Sequence, residues 1–253
     1  MKVIFLGIPE RSILIDESLL LDCGEGTTRK LIQINAIDNL KSIFLTHLHV
    51  DHFLGIFMLL WYYMVRGRKN DLTIYGPSKT KETIEKILTI QIKVINPNFQ
   101  GDFNTLRFKL HFIELIESDE IQEIQDEYKI KYVAMEHGIP TLAYRVEDEE
   151  KSICYSGDTR PNSKLIKLAK KCNIFICESN FPDKLPKGEE NLSHCTASDT
   201  AKMAGDADCE KLVLVHIDPR YKEEFHKNID EMHKIFTKEI LVAHDFMTLE
   251  ILP

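Results

Sequence analysis

The chain has 253 residues, of which 43% are hydrophobic and 28% charged, and a formal charge of −8. No apolar run reaches the length of about 18 residues that a helical membrane span needs, so the composition reads as a soluble globular protein with a sizeable core. The acidic balance argues against nucleic-acid binding over a broad surface, which requires Lys and Arg on phosphates, and leaves room for a local basic face. Cysteines at 23, 154, 172, 177, 195 and 209 form no C-x-x-C pair and no framework spacing, which implies free thiols in a reducing, cytoplasmic setting.

Residues 1–7 are too short for a signal-peptide core, lack a small-residue cleavage site and read as a first strand. Residues 3–6, 13–15 and 19–21 are apolar runs separated by polar breaks, a strand meander. Asp22-Cys23-Gly24-Glu25-Gly26 then makes a tight turn that opens a helix running to Ile34. Residues 42–45 read as a buried strand and 53–65 as a helix, so Thr46-His47-Leu48-His49-Val50-Asp51-His52 falls on a strand-to-helix turn that aims its side chains outward. Three imidazoles and a carboxylate within residues 47–52 are too dense for a packed core. Nitrogen and oxygen donors of this kind suit zinc, iron and similar ions, so a metal site is the reading, against solvated histidines as the bland alternative.

Further along, Arg66-Gly67-Arg68-Lys69-Asn70 ends the helix, as a solvated charge cluster or a phosphate contact. Residues 72–75 read as a strand, 78–91 as an amphipathic helix, and 105–116 and 128–133 as strands. The acidic stretch 117–127 reads as a loop or exposed helix, a poor place for RNA. His137 stands at a strand end before the strand 141–146, where a lone histidine is more often a turn residue than a ligand. The strand 152–156 runs into Gly157-Asp158-Thr159, a position from which Asp158 would commonly cap the helix starting near Pro161. Glu178 sits at the tip of the buried strand 173–177, a candidate acid or base if it faces the metal turns and idle if it is exposed. His194 precedes a helix-start box, Thr196 with Asp199, for residues 197–207. Another strand, 213–215, precedes His216, and the helix 221–237 carries His226 and His233 as solvated residues. His111 matches nothing, and His244, ahead of the final strand, has no assigned role.

The H-x-H-x-D-H pattern at 47–52 resembles the metallo-β-lactamase superfamily. Within it, D-C-G-E-G-T from Asp22, D-H-F-L-G-I from Asp51, L-T-I-Y-G-P from Leu72, S-G-D-T from Ser156 and H-x-x-x-R-Y from His216 are similar to segments of ribonuclease Z. The likeness runs from about residue 1 to 251. It implies an α/β (α+β) fold, the four-layer αββα sandwich, with residues 1–253 as a single hydrolase domain because ligands come from both halves. The implied ligands are His47, His49, His137 and Asp158 for one divalent metal, and Asp51, His52, Asp158 and His216 for a second, with Asp22 supporting the histidines from behind. Zinc is expected ahead of iron or manganese. Asp51 would also orient or deprotonate the attacking water, and Glu178 with His194 would pass a proton to the leaving oxygen. Cys177 and Asn180 depart from the H-E-x-T-F segment that the family carries around this Glu.

The resemblance implies a phosphodiester hydrolase acting on the 3′ ends of tRNA precursors. Two departures bear on the substrate. His137 and Asp158 are 21 positions apart, too close to hold the long arm with which most of the family grips tRNA, and the loop at 7–11 is too short for the family's basic loop. RNA would then be held without the arm, or by the partner in a homodimer. The alternatives are a small-molecule phosphodiesterase acting on cyclic nucleotides or similar esters and, less favoured, a non-catalytic metal-stabilised binding protein.

Overall fold

The computed structural model describes residues 1–7, 11–101, 107–183 and 193–252. The chain divides into two compact units, the first built from Lys2–Ile116 with Asp245–Leu249, the second from Glu117–His244 with Met1 and Glu250–Pro253. In chain order the first unit carries β1 (Lys2–Gly7), β2 (Ser12–Ile15), β3 (Leu19–Leu21), α1 (Thr27–Gln33), β4 (Ser42–Phe44), α2 (Val50–Phe53), α3 (Gly55–Arg66), β5 (Leu72–Gly76), α4 (Thr80–Ile95) and β6 (Leu110–Glu114). The second carries β7 (Gln122–Gln125), β8 (Lys129–Ala134), β9 (Leu142–Asp148), β10 (Lys151–Tyr155), α5 (Ser163–Leu168), β11 (Ile174–Glu178), α6 (Ala197–Ala207), β12 (Lys211–Val215), α7 (Lys222–Ile235) and β13 (Glu239–Val242). A last strand, β14 (Thr248–Glu250), returns to the first sheet. No helix among the described residues is long and apolar enough to cross a membrane.

Both units follow one plan. The first sheet has the order β14-β1-β2-β3-β4-β5-β6, antiparallel through β1, β2 and β3 and parallel from β3 to β6. The second has the order β13-β12-β11-β10-β9-β8-β7, antiparallel from β7 to β10 and parallel from β10 to β13. Parallel neighbours need a crossover, which helices supply: α1, α3 and α4 in the first unit, α5, α6 and α7 in the second. The strands of Ile13, Leu20, Phe175 and Leu214 are buried at successive positions, which is why they read as unbroken apolar runs. In the first core Leu31, Leu59, Leu60 and Leu88 pack with Leu20, Ile43 and Ile74, and in the second Leu165, Ala204 and Phe225 pack with Phe175 and Leu214.

This plan places the candidate residues. Parallel strands finish at the same end of their sheet, and the loops that follow them collect there. Asp22 follows β3 and the 46–52 turn follows β4; Asp158 follows β10, Glu178 ends β11 and His216 follows β12.

Four local expectations are revised. Helix begins at Val50 rather than 53, so Asp51 and His52 lie in its first turn, and α4 runs on to Ile95. The acidic stretch is loop at 117–121 and 126–127, as expected, but its residues 122–125 form β7, whose Ile124 pairs with Ile130 of β8. An edge strand with one neighbour tolerates charge, so its polar pattern hides it. Arg68 is a structural residue: its guanidinium lies 4.3 Å over the Tyr63 ring and donates to the carbonyls of Leu40, Asn70 and Asp71. Between His137 and Asp158 the chain forms the β9–β10 hairpin, closed by Glu149-Glu150 alone, with Glu149 at φ 52°. Of the expected short loop at 7–11, residues 8–10 lie outside the described residues, as do positions 105 and 106 of the strand expected before Ile116.

Candidate metal centre

In the first unit the site is built around Asp22, which is fully buried at φ 57°. Its carboxylate accepts from the Thr46 backbone N–H at 2.7 Å, from the Thr46 hydroxyl at 2.9 Å and from His52 Nδ1 at 2.7 Å. The bond from Nδ1 fixes the tautomer of His52 and presents Nε2 as its donor to an ion. Thr46 Oγ1 also lies 3.0 Å from His47 Nδ1, so His47 likewise presents Nε2. That nitrogen sits 3.0 Å from His49 Nδ1, two imidazole nitrogens converging on one point. Asp51 Oδ2 is 3.6 Å from His52 Nε2 and 3.6 Å from the guanidinium of Arg11.

The turn holding these groups is braced by backbone. Cys23 N–H donates to His52 carbonyl, Gly55 N–H to Cys23 carbonyl, and Gly24 N–H to Arg11 carbonyl. A β-carbon on Gly55 would stand 1.8 Å from the Gly24 carbonyl oxygen, so only glycine lets the start of α3 come this close.

In the second unit Asp158, Glu178, His194 and His216 each offer a donor atom, all within 4.8 Å of one another. His216 Nδ1 lies 3.0 Å from Asp158 Oδ1. Glu178, fully buried, receives His194 Nδ1 at 3.0 and 3.1 Å on its two oxygens, together with the backbone N–H groups of Thr159 and Cys195. A carboxylate holding three donors is an orienting group, and it leaves His194 with Nε2 for proton exchange. His137 Nδ1 bonds the Ser193 carbonyl at 3.1 Å, which again presents Nε2. Asp158 does not cap the next helix. That cap is Asn162, which accepts from Leu165 N–H at 2.9 Å, while Asp158 stays 3% exposed beside His216.

The donor set fits divalent metal on its chemistry. The imidazoles of His52 and His194 are held through Nδ1 by a carboxylate, that of His47 by a hydroxyl and that of His137 by a carbonyl, and the buried carboxylates Asp158 and Glu178 stand within the second cluster. Every residue expected at the site therefore sits in one of two clusters, His47, His49, Asp51 and His52 in the first unit and His137, Asp158, Glu178, His194 and His216 in the second. Three supporting residues were not foreseen: Arg11 on Asp51, Thr46 on Asp22, and Ser193 on His137. The one signal for any of them is the Thr immediately before the first His. His233 and His244 are exposed, and the side chain of His226 lies outside the described residues.

Comparison with known proteins gives the same picture. Residues 17–217 match the model of the β-lactamase superfamily domain. The ribonuclease Z of Methanosarcina acetivorans is 30% identical, with 93% of this chain and 89% of that protein aligned over 285 residues. The alignment is longer than the chain itself, so that relative carries insertions this chain lacks. Among solved structures, the short form of human tRNase Z superposes with a TM-score of 0.77 at 22% identity over the whole of both chains. The metallo-β-lactamase fold protein YhfI of Bacillus subtilis superposes with a TM-score of 0.77 at 19% identity over 98% of each. These superpositions show the metallo-β-lactamase fold expected from the sequence. With the family model and the curated relative both spanning the metal turns, the chain belongs to the ribonuclease Z family of the β-lactamase superfamily and is a metal-dependent hydrolase.

Proposed function

We propose that the chain is a cytoplasmic endoribonuclease that processes the 3′ ends of tRNA precursors, one domain over residues 1–253 with a binuclear centre. His47, His49, Asp51, His52, His137, Asp158 and His216 are its ligands, with zinc ahead of iron or manganese. The observation that carries this reading is the His194–Glu178 pair, an imidazole held through Nδ1 by both oxygens of a buried carboxylate beside Asp158 and His216. Similarity to ribonuclease Z and to human tRNase Z supports the substrate.

Divalent ions held by these residues would polarise the scissile phosphate and favour ionisation of the attacking water. The chain's own groups do the rest. Asp51, tethered by Arg11, accepts a hydrogen bond from the nucleophilic water and orients it. Glu178 keeps His194 in the tautomer that carries a proton at Nδ1, and Nε2, protonated in the imidazolium form, delivers a proton to the leaving 3′ oxygen.

A small phosphodiester is the second reading, favoured by one observation: the β9–β10 hairpin tip is short and acidic, Asp148-Glu149-Glu150, where the family's arm would emerge. A homodimer would offset the missing arm. It is supported by the exposed stripe Val50, Leu54, Met58, Trp61 and Val65 along α2 and α3, and a monomeric sedimentation coefficient at high protein concentration would remove it.

The test pairs metal content per chain with cleavage of a precursor tRNA and of bis(p-nitrophenyl) phosphate by one preparation, with Asp51→Ala as control. Two metals and a cut at the tRNA 3′ end are expected. Ester hydrolysis without an RNA cut transfers the assignment to the second reading.

A further inference from the structure

The chain carries a formal charge of −8, yet one groove of its first unit is basic. It is open, has a volume of about 1020 Å³ and follows β6, which among the described residues is the edge strand of its sheet and pairs with β5 alone. Lys109 and His111 come from the strand and its approach, Lys69 from beyond the end of α3, Lys81 from the first turn of α4, and Arg107 from the segment leading into β6. All five are exposed.

Lysines on an edge strand often do no more than block pairing with another chain. That role needs only the strand's own residues, whereas here separate elements direct cations into one groove. Two acids line it as well. Asp71 is engaged by the Lys109 backbone N–H and by His111 Nε2, both at 3.1 Å, and Glu85 lies 4.0 Å from Lys81. Lys69 and Arg107 have no ion pair among the described residues, and although the charge of Lys109 acts on Asp71, the four cations Lys69, Lys81, Arg107 and Lys109 outnumber the two acids, so the groove keeps an excess of positive charge. Its size is at the upper end of the roughly 300–1,000 Å³ of small-ligand sites, but it is open rather than enclosing, and an open basic trough suits a polyanion. β4, which leads to His47, lies two strands in from β6, roughly 10 Å across the sheet.

We propose that this groove binds the phosphate backbone of the RNA substrate and supplies the grip for which the β9–β10 hairpin leaves no arm. The inference rests on the reading of the chain as an RNA-cleaving enzyme. Phosphate contacts from Lys81, Arg107 and Lys109 hold the RNA without selecting its sequence. The groove takes no part in the bond-breaking step.

The test is the charge-reversed variant Lys81→Glu/Arg107→Glu/Lys109→Glu against the parent protein, both metal-loaded, with a precursor tRNA transcript at several salt concentrations and with bis(p-nitrophenyl) phosphate. The variant is expected to raise KM for the transcript by about 10-fold or more. The slope of log(kcat/KM) against log[salt] should become shallower by roughly 2 to 3, near one per lost contact, and hydrolysis of the small ester should stay unchanged. An unchanged KM and slope, with the parent cutting the transcript, would overturn the groove and leave the proposed function standing. A parent protein that hydrolyses the ester and neither binds nor cuts the transcript overturns both. Inhibition by inorganic phosphate that vanishes in the variant, with KM for the transcript unaltered, assigns the groove to free phosphate and overturns the RNA proposal.

Discussion

Asp22 and His216 both hold left-handed backbone angles, φ 57° and 58°, a region uncommon outside glycine that Asp and His enter more readily than most side chains. Each lies just past the end of a strand, where the turn brings the Asp22 carboxylate onto His52 Nδ1 and His216 Nδ1 to within 3.0 Å of Asp158. Two substitutions separate roles at this scale. Asp22→Ala removes the acceptor for His52 Nδ1 and for Thr46, and metal affinity should fall by about 10- to 100-fold, read by competition with a chelator. His194→Ala should lower turnover by roughly 10²-fold or more while metal content stays at the parent level. Because His194 shares a 4.8 Å donor cluster with Asp158 and His216, a loss of metal in that variant would make it a ligand and remove it from proton transfer. The clustered histidines were legible because four donors within residues 47–52 have no other use. Arg11 and Ser193 were not, since a residue that supports a ligand from far along the chain leaves no mark in its own neighbourhood.

At the scale of elements, the approach of α3 to the Asp22-Cys23-Gly24 turn ties the two motifs of the first unit together. Glycine at 55 in D-H-F-L-G-I is explained by this contact. Gly55→Ala would drive its β-carbon into the Gly24 carbonyl, and because both partners are backbone the turn itself must move. A destabilisation of about 3 kcal/mol or more is expected, together with weakened metal binding. Thermal unfolding with and without metal checks it, and a melting temperature within a degree of the parent would disprove the close approach. Strands that cross the middle of a sheet were legible as apolar runs: residues 13–15, 19–21 and 213–215 all fall within strands. The edge strands were harder. β7 is polar at three of its four positions, Gln122, Glu123 and Gln125, and β13 is a short run directly after a helix, with one strand beside it among the described residues.

For the whole molecule, the cysteines give a measurable account of how tightly the cores close. All six are free and buried, Cys23 in the first core and the other five in the second. Burial pushes the Cys172 thiol up to about 12 and drives Cys23, Cys154 and Cys209 up as well, while Cys195 is raised by its hydrogen bond with Cys177 and by burial. In the unfolded chain an ordinary thiol ionises near pH 8.5. Below that value both states hold the proton and stability does not depend on these groups. Above it the unfolded chain gives up protons that the folded chain keeps, so the stability they contribute is lost as pH rises, by about 1.4 kcal/mol per pH unit for each such thiol. Urea unfolding in reducing buffer should therefore show a midpoint that is level in thiol-linked stability up to about pH 8.5 and falls steeply between pH 9 and 10, with a thiol reagent labelling none of the six in the native protein and all of them in urea. A midpoint unchanged from pH 8 to pH 10, or rapid labelling of native protein, would mean that these thiols ionise in place and that the cores around them open far more readily than their packing indicates.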